Sequence, residues 1–375
     1  MVDWHFIVND RPTLPNYSGA NVRGLVPALL APSRASLPSW MPEPLRGAHQ
    51  VVVLVIDGLG WDQLQSRREL APTIMAMQGR SITTVAPSTT ATALTSITTG
   101  LTPGEHGLVG YRFDVGGGVL NVLRWSTGSG DARRTHAPSR LQPFEPFMGH
   151  ALPVVSKAEL EHSAFTEAHL RGSRPHGWRV ASSLPLIVGS LLRAGEPLVY
   201  AYYDGIDKVA HERGFGQFYD AELRAVDSLV GDVLAQLPPG AALVITADHG
   251  QVQVGDNTIV LPDDMVRLTR TMSGEGRFRW LHARPGAAGE LFAAAHAAFA
   301  HQAWVVTKDE VIDGGWFGPV VSPPVAGRLG DVALVPFADI TFHDPADSGP
   351  YPLICRHGSL TPAEMLVPLL AAAPS

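Results

Sequence analysis

The run Val51-Val52-Val53-Leu54-Val55-Ile56 is apolar at every position and stops on Asp57-Gly58. Unbroken β-branched residues suit a strand covered on both faces, as in the middle of a parallel sheet; a half-exposed strand would alternate. A second run, Ala242 to Ala247, stops on Asp248-His249-Gly250, and a third, Leu198 to Tyr203, is entered through Pro197. Leu223, Val226, Val230, Val233, Leu234 and Leu237 recur at steps of three and four, which predicts an amphipathic helix ended by Pro238-Pro239-Gly240. Another helix is expected to start near Trp61, and Thr83 to Val85 reads as a short strand. Pro87-Ser88-Thr89-Thr90 opens a helix that continues through Ala91-Thr92-Ala93-Leu94, because Ser and Thr hydroxyls cap free amides. This alternation of strands and helices predicts a doubly wound, mostly parallel α/β core.

Two stretches break the pattern. Residues 112–150 mix a Gly116-Gly117-Gly118 turn, short apolar pieces and a polar Arg133-Arg134 loop, a hairpin excursion expected at the mouth of the site. Residues 251–345 hold short strands between Gly and Pro, among them Arg277-Phe278-Arg279-Trp280 and Val332-Ala333-Leu334-Val335, and read as a smaller strand-rich cap. The expected division is a core of residues 1–250 and 346–375 with the cap inserted at 251–345.

Composition narrows the class. A chain of 375 residues can bury a large core, and 17% charged residues argue against disorder or coiled coil. A net charge of −7 offers no footprint for a nucleic-acid duplex or an anionic membrane, so an anionic substrate needs a local positive centre. The single cysteine, Cys355, excludes an internal disulfide and reads as a small buried hydrophobe. Met1-Val2-Asp3-Trp4-His5 shows no secretory signal, and no apolar run reaches the roughly 18 residues of a spanning helix, so the expected location is cytoplasmic.

Candidate chemistry gathers where strands end. Open α/β sheets place ligands beyond the carboxyl ends of their strands, where Asp57 and Asp248-His249 stand. Asp207 and His211, four apart, fall on one face of a helical turn after the third strand. His357-Gly358 follows late, and Ser88-Thr89-Thr90 sits at a helix start that favours an anion. Each of these alone would suit a cap, a solvated pair or a structural histidine. Together, three Asp and three His give mixed oxygen and nitrogen donors that suit zinc, with manganese as the alternative. Six ligands and a hydroxyl fill two sites with open positions, the pattern of a catalytic pair.

With these blocks in place the chain resembles the alkaline phosphatase superfamily, in its type I phosphodiesterase/nucleotide pyrophosphatase branch, from about Val51 to about Leu370. Pro87-Ser88-Thr89-Thr90 continuing to Thr99-Gly100-Leu101-Thr102-Pro103-Gly104-Glu105-His106-Gly107 is similar to the family's P-T-x-T followed by T-G-x-x-P-x-x-H-G. Counted back from Gly100, the family's threonine nucleophile falls on Thr90. The resemblance implies one metal on Asp207, His211 and His357, and a second on Asp57, Thr90, Asp248 and His249. It leaves His106 as a structural turn residue. Where the family carries an asparagine after the H-G, this chain has Tyr111, whose phenol can donate one hydrogen bond to a phosphoryl oxygen. Monoesterases of the superfamily often carry Lys-x-Arg after a strand like Val154-Val155; here Lys157-Ala158-Glu159 keeps the lysine and puts an acid at the arginine, which leans toward diesters.

The expected function is a two-metal phosphodiesterase acting through a phospho-threonine, on a small phosphate ester with nucleotides among the candidates. Alternatives are a phosphomonoesterase or phosphonate hydrolase on the same core and, from another class, a catalytically silent metal-binding protein. Tyr111, Phe113 and Trp125 are open to either base stacking or packing.

Overall fold

The computed structural model describes residues 11–33, 36–347 and 352–374. The leader residues read above for a signal, Met1 to His5, lie outside them. Seven strands form the central sheet: β1 (Gln50–Ile56), β2 (Gln78–Thr83), β3 (Pro153–Val155), β4 (Arg174–Pro175), β5 (Leu198–Tyr203), β6 (Ala241–Thr246) and β7 (Leu366–Ala372), in the spatial order β2-β7-β6-β1-β5-β3-β4. β1 lies at the centre, parallel to β6 on one side (Val52 beside Leu243, Leu54 beside Ile245) and to β5 on the other (Val51 beside Leu198, Ile56 beside Tyr203). Val51 to Ile56 are all fully buried, which is what a run without alternation requires. Only β7 and β2, at one edge, add antiparallel pairings. This is the mostly parallel α/β architecture expected.

Because β6, β1 and β5 are adjacent and parallel, their carboxyl ends open on one edge of the sheet. Helices α1 (Thr90–Thr99), α2 (Ala164–Leu170) and α3 (Gly205–Arg213) supply residues to the site at that edge, and α4 (Gln217–Leu234) packs against α3. Helix α1 is buried from Ala91 to Thr99, and α4 carries the periodic stripe at Leu223, Val226, Val230 and Val233.

One strand differs from its expected place. The polar stretch Gln78–Thr83, not Thr83 to Val85, pairs with β7. It is an edge strand with Gln78, Gly79 and Arg80 exposed, so backbone pairing rather than apolar pattern defines it.

Within residues 251–345, strands Thr269–Glu275, Phe278–Ala283, Val332–Pro336 and Ala303–Thr307 form an antiparallel sheet in that order. One face packs Leu281, Val305 and Leu334 with Leu291, Ala295 and Phe299 of the helix Ala288–Phe299. The other places Phe278, Trp280, Ala333 and Val335 in the main core. Residues 112–131 form a meander of four short strands. Phe113 and Trp125 are buried inside it, so their rings pack rather than offer a stacking face.

Candidate active site at the sheet edge

Asp57 leaves β1 at the site edge with its amide donating to Tyr203 O at 2.9 Å. Gly58 then turns with φ +72; a Cβ there would lie 2.5 Å from Gln251 Nε2 and 3.0 Å from Asp207 Cβ, so glycine permits the closest approach of β1 to α3. From β6, Asp248 accepts from Gly58 N and from its neighbour His249 N, both at 3.1 Å. Thr90, the first residue of α1 after the cap residue Thr89, places Oγ1 3.1 Å from His249 Nε2.

Three histidines are held in the same way. His211 Nδ1 meets Cys355 O at 2.7 Å, His249 Nδ1 meets Gly250 O at 3.0 Å and His357 Nδ1 meets Ser88 O at 2.9 Å. A carbonyl only accepts, so each Nδ1 carries the proton and each Nε2 presents a lone pair inward. Metal-ligating imidazoles are oriented by this kind of outer bond. Their Nε2 atoms face carboxylates: His211 lies 3.2 Å and His357 3.9 Å from Asp207 Oδ1, and His249 lies 3.4 Å from Asp57 Oδ1 and 3.5 Å from Asp248 Oδ2. The rings of His249 and His357 stack with centroids 3.6 Å apart.

The donors make two overlapping groups, Asp57/Asp248/His249 and Asp207/His249/His357, with ligand atoms in each within 4.8 Å of one another. His249 stands in both, and His211 joins the second through Asp207. Asp57 Oδ1 and Asp248 Oδ2 are buried without a hydrogen-bond partner among the described residues. Leaving a buried carboxylate oxygen unpaired is costly, and a cation satisfies both at once. Burial, and then the charges of Asp248 and Asp207, push Asp57 well above the usual carboxylate range. Burial also lifts Asp248 against the pull of His249. For Asp207 burial pushes up, but His211 and then His357 and His249 bring it below its ordinary value. Burial, with His249 and His211 nearby, holds His357 well below a free imidazole. The donor set and the orphaned oxygens fit divalent cations.

Several contacts around the donors were not singled out by the sequence. Tyr202 of β5 donates its hydroxyl to Asp57 Oδ2, and Thr84 donates to Asp248 O. Gln251 Nε2 donates to Asp207 Oδ1 at 2.9 Å. Glu275, from the antiparallel sheet, accepts from Tyr111 N at 3.3 Å and from the Thr89 hydroxyl; burial pushes it up to about 8. Gly358 has φ +126, and a Cβ there would lie 2.7 Å from Glu275 Cγ. Tyr111 sits one contact from Thr89, through Glu275, and its hydroxyl accepts from Asn121 Nδ2 at 2.7 Å. The meander thus brings an asparagine beside Tyr111 that the sequence after the H-G lacks. His106 is buried and belongs to neither donor group, with Nδ1 accepting from Leu108 N at 3.1 Å and Nε2 2.8 Å from Ser96 Oγ.

Beside Thr90 and Asp57 opens a cavity of about 250 Å³, walled by Leu94, Leu123, Phe165, His169, Tyr200 and Lys208 among others. At its edge Lys157 and Lys208 hold the two oxygens of Asp204, at 2.6 and 2.5 Å. Glu159, the acid at the arginine place, turns to solvent, 4.0 Å from Arg179. Among the described residues no helix is long and apolar enough to cross a membrane.

Residues 51–359 match the type I phosphodiesterase/nucleotide pyrophosphatase family. Among solved structures, murine ectonucleotide pyrophosphatase/phosphodiesterase 5 superposes with a TM-score of 0.65 at 17% identity, covering 87% of this chain and 88% of that one. An inactive threonine-to-alanine form of the murine protein, in complex with AMP, matches equally. Phosphonoacetate hydrolase from Sinorhizobium meliloti 1021, in complex with phosphonoformate, gives 0.65 at 17% identity, covering 88% and 91%. No curated protein sequence matches the chain.

Proposed function

The chain belongs to the type I phosphodiesterase/nucleotide pyrophosphatase family, metal-dependent phosphoester hydrolases of the alkaline phosphatase superfamily, and on that premise we propose that it hydrolyses small phosphate diesters with Thr90 as nucleophile. The observation that carries this reading is Thr90 Oγ1 at the start of a buried helix, 3.1 Å from His249 Nε2 and beside the unpartnered Asp57 Oδ1 and Asp248 Oδ2. Asp57, Asp248, His249 and Thr90 would hold one divalent cation and Asp207, His211 and His357 a second, zinc by donor chemistry with manganese as the alternative. Bound there, the pair supplies Lewis-acid charge for the phosphoryl oxygens and lowers the pKa of a coordinated hydroxyl.

The protein's own groups position the rest. The Nδ1–H bonds of the three histidines lock their rings, and Tyr202 fixes Asp57. The free amides at the start of α1 face an anion at Thr90. Thr90 Oγ1 forms the bond to phosphorus as the ester P–O bond breaks, and the leaving oxygen departs with the electron pair and takes up a proton. Water then attacks the phospho-threonine, restoring the hydroxyl and releasing the phosphorylated product. Glu275 ties the Tyr111 backbone to Thr89 and so steadies the residue next to the nucleophile.

A second reading, a phosphomonoesterase or phosphonate hydrolase, is favoured by one observation. Lys157 and Lys208 converge on Asp204 at the edge of the cavity, a net positive pair suited to an extra substrate charge. Turnover of bis-p-nitrophenyl phosphate and p-nitrophenyl phosphate by zinc-reconstituted protein, at matched concentrations, separates the two. Diester preference supports the first reading and monoester preference the second; no turnover of either by zinc- or manganese-loaded protein overturns the phosphate-ester readings and points to a phosphonate substrate or a binding role.

A further inference from the structure

Resting on the phosphoester reading, we propose that His169 and Tyr200 read a hydrogen-bond donor on an otherwise apolar substituent of the substrate phosphoryl group, making them specificity-determining residues. The cavity that contains Thr90 and Asp57 is walled by Leu94, Leu123, Phe165 and Leu170, so it suits an apolar or aromatic group. Its other polar side chains are mostly engaged within the protein. Tyr202 donates to Asp57, Lys208 pairs with Asp204, and Ser163 donates to Thr166, which donates to Leu160 O.

Two wall groups at least nine-tenths buried are different. His169 is 5% exposed; its Nδ1 lies 2.7 Å from Phe165 O, one turn back in α2, and its ring stacks on Phe165 with centroids 4.0 Å apart. The carbonyl takes the Nδ1 proton, so Nε2 is a bare acceptor, and it has no partner among the described residues. Tyr200, 2% exposed, carries a hydroxyl that is buried without a partner. Burial holds the His169 ring neutral at ordinary pH, so Nε2 stays an acceptor. An apolar wall with one fixed acceptor and one hydroxyl fits a substituent that presents an O–H or N–H from an apolar body. A substituent without a donor leaves Nε2 buried and unpaired, which is the stronger basis of discrimination.

The test uses p-nitrophenyl phenyl phosphate and its meta- and para-hydroxyphenyl and methoxyphenyl analogues with zinc-loaded protein. All release the same p-nitrophenolate, so differences in kcat/KM report the retained substituent. Wild type is expected to favour one hydroxyphenyl isomer about 10-fold or more over both the phenyl and methoxyphenyl esters. His169→Phe keeps the stack on Phe165 and removes the acceptor, and is expected to bring the hydroxyphenyl-to-phenyl ratio close to one. His169→Gln places an amide oxygen near the Nε2 position and should restore part of the preference. A flat ratio in wild type overturns the inference while leaving the hydrolase reading intact. So does a wild-type ratio in His169→Phe, or an equal loss on all esters, which would mark a structural role. Absence of turnover on every ester overturns the diesterase reading and this inference together.

Discussion

Replacing Glu364 by Gln should destabilise the protein by about 3–5 kcal/mol, the usual cost of breaking a fully buried ion pair. Arg277 and Glu364 have fully buried side chains, and Arg277 Nε and Nη2 meet the two carboxylate oxygens at 2.7 and 2.9 Å. The same carboxylate accepts from Ser359 N at 3.0 Å and from Thr361 Oγ1 at 2.6 Å. Arg277 also donates to the carbonyls of Ala338 and Ile340, at 2.9 and 2.7 Å. The substitution preserves volume but leaves Arg277 charged without a counterion and turns an amide donor toward a guanidinium donor. Arg277→Met should cost a similar amount, by stranding the carboxylate. Because the two residues share one interaction, the double variant Arg277→Met/Glu364→Gln should lose at least about 1 kcal/mol less than the sum of the singles. Urea unfolding at fixed free zinc measures all three, since metal concentration itself shifts apparent stability. Ser359 stands two residues after His357, so zinc content should fall alongside stability. A Glu364→Gln cost below about 1 kcal/mol, or strict additivity, would refute this assignment of the pair.

Acid should weaken the fold through two buried neutral histidines. Burial lowers His106 to about 3 and His169 to about 4, from a free value of 6.5. Below pH 6.5 the unfolded chain takes up protons that the native rings refuse, so stability is lost as pH falls from 6.5 toward those values, by up to about 1.4 kcal/mol per unit for each ring. Urea midpoints from pH 7 to 4.5 check this, and a His106→Gln variant whose slope matches wild type would remove that residue from the explanation. Chelation of the metals should leave Asp57, Asp207 and Asp248 uncompensated, and zinc at about 100 times its Kd should add about 2.7 kcal/mol. Unfolding indifferent to both zinc and manganese would contradict the two donor groups. Gly358→Ala should cost about 1–3 kcal/mol from the positive φ and the Glu275 contact together, and should also lower turnover, because the loop carries His357. Full activity and stability in that variant would show that the loop yields freely.

The central strands and the donors just beyond them were legible because burial on both faces leaves an unbroken apolar run, and the first polar residue after it marks the strand end. Asp57, Asp248 and His249 follow such runs directly, and Asp207 with His211 follows a third after a short turn. Strand β2 was not legible, because an exposed edge strand is specified by pairing with β7 rather than by its own pattern. Glu275, Gln251 and Asn121 were hidden for another reason. Their roles arise from contacts with Tyr111, Asp207 and Tyr111 that span loops or sheets, and no local spacing encodes them. Tyr202 did leave a trace. Tyr200 and Tyr202 share one face of their strand near its carboxyl end, with Tyr203 on the other, and a phenol there needs a partner. The overlap of the two donor groups at His249 was also beyond the sequence, which gives order along the chain but not which rings stack.

The most direct measurement is the turnover of Thr90→Ala on bis-p-nitrophenyl phosphate, with zinc content determined on the same sample. Thr90 as nucleophile requires a fall of about a thousandfold or more with both metals largely retained. Turnover within about tenfold of wild type at equal zinc content would contradict a nucleophilic Thr90 and the phospho-threonine route with it.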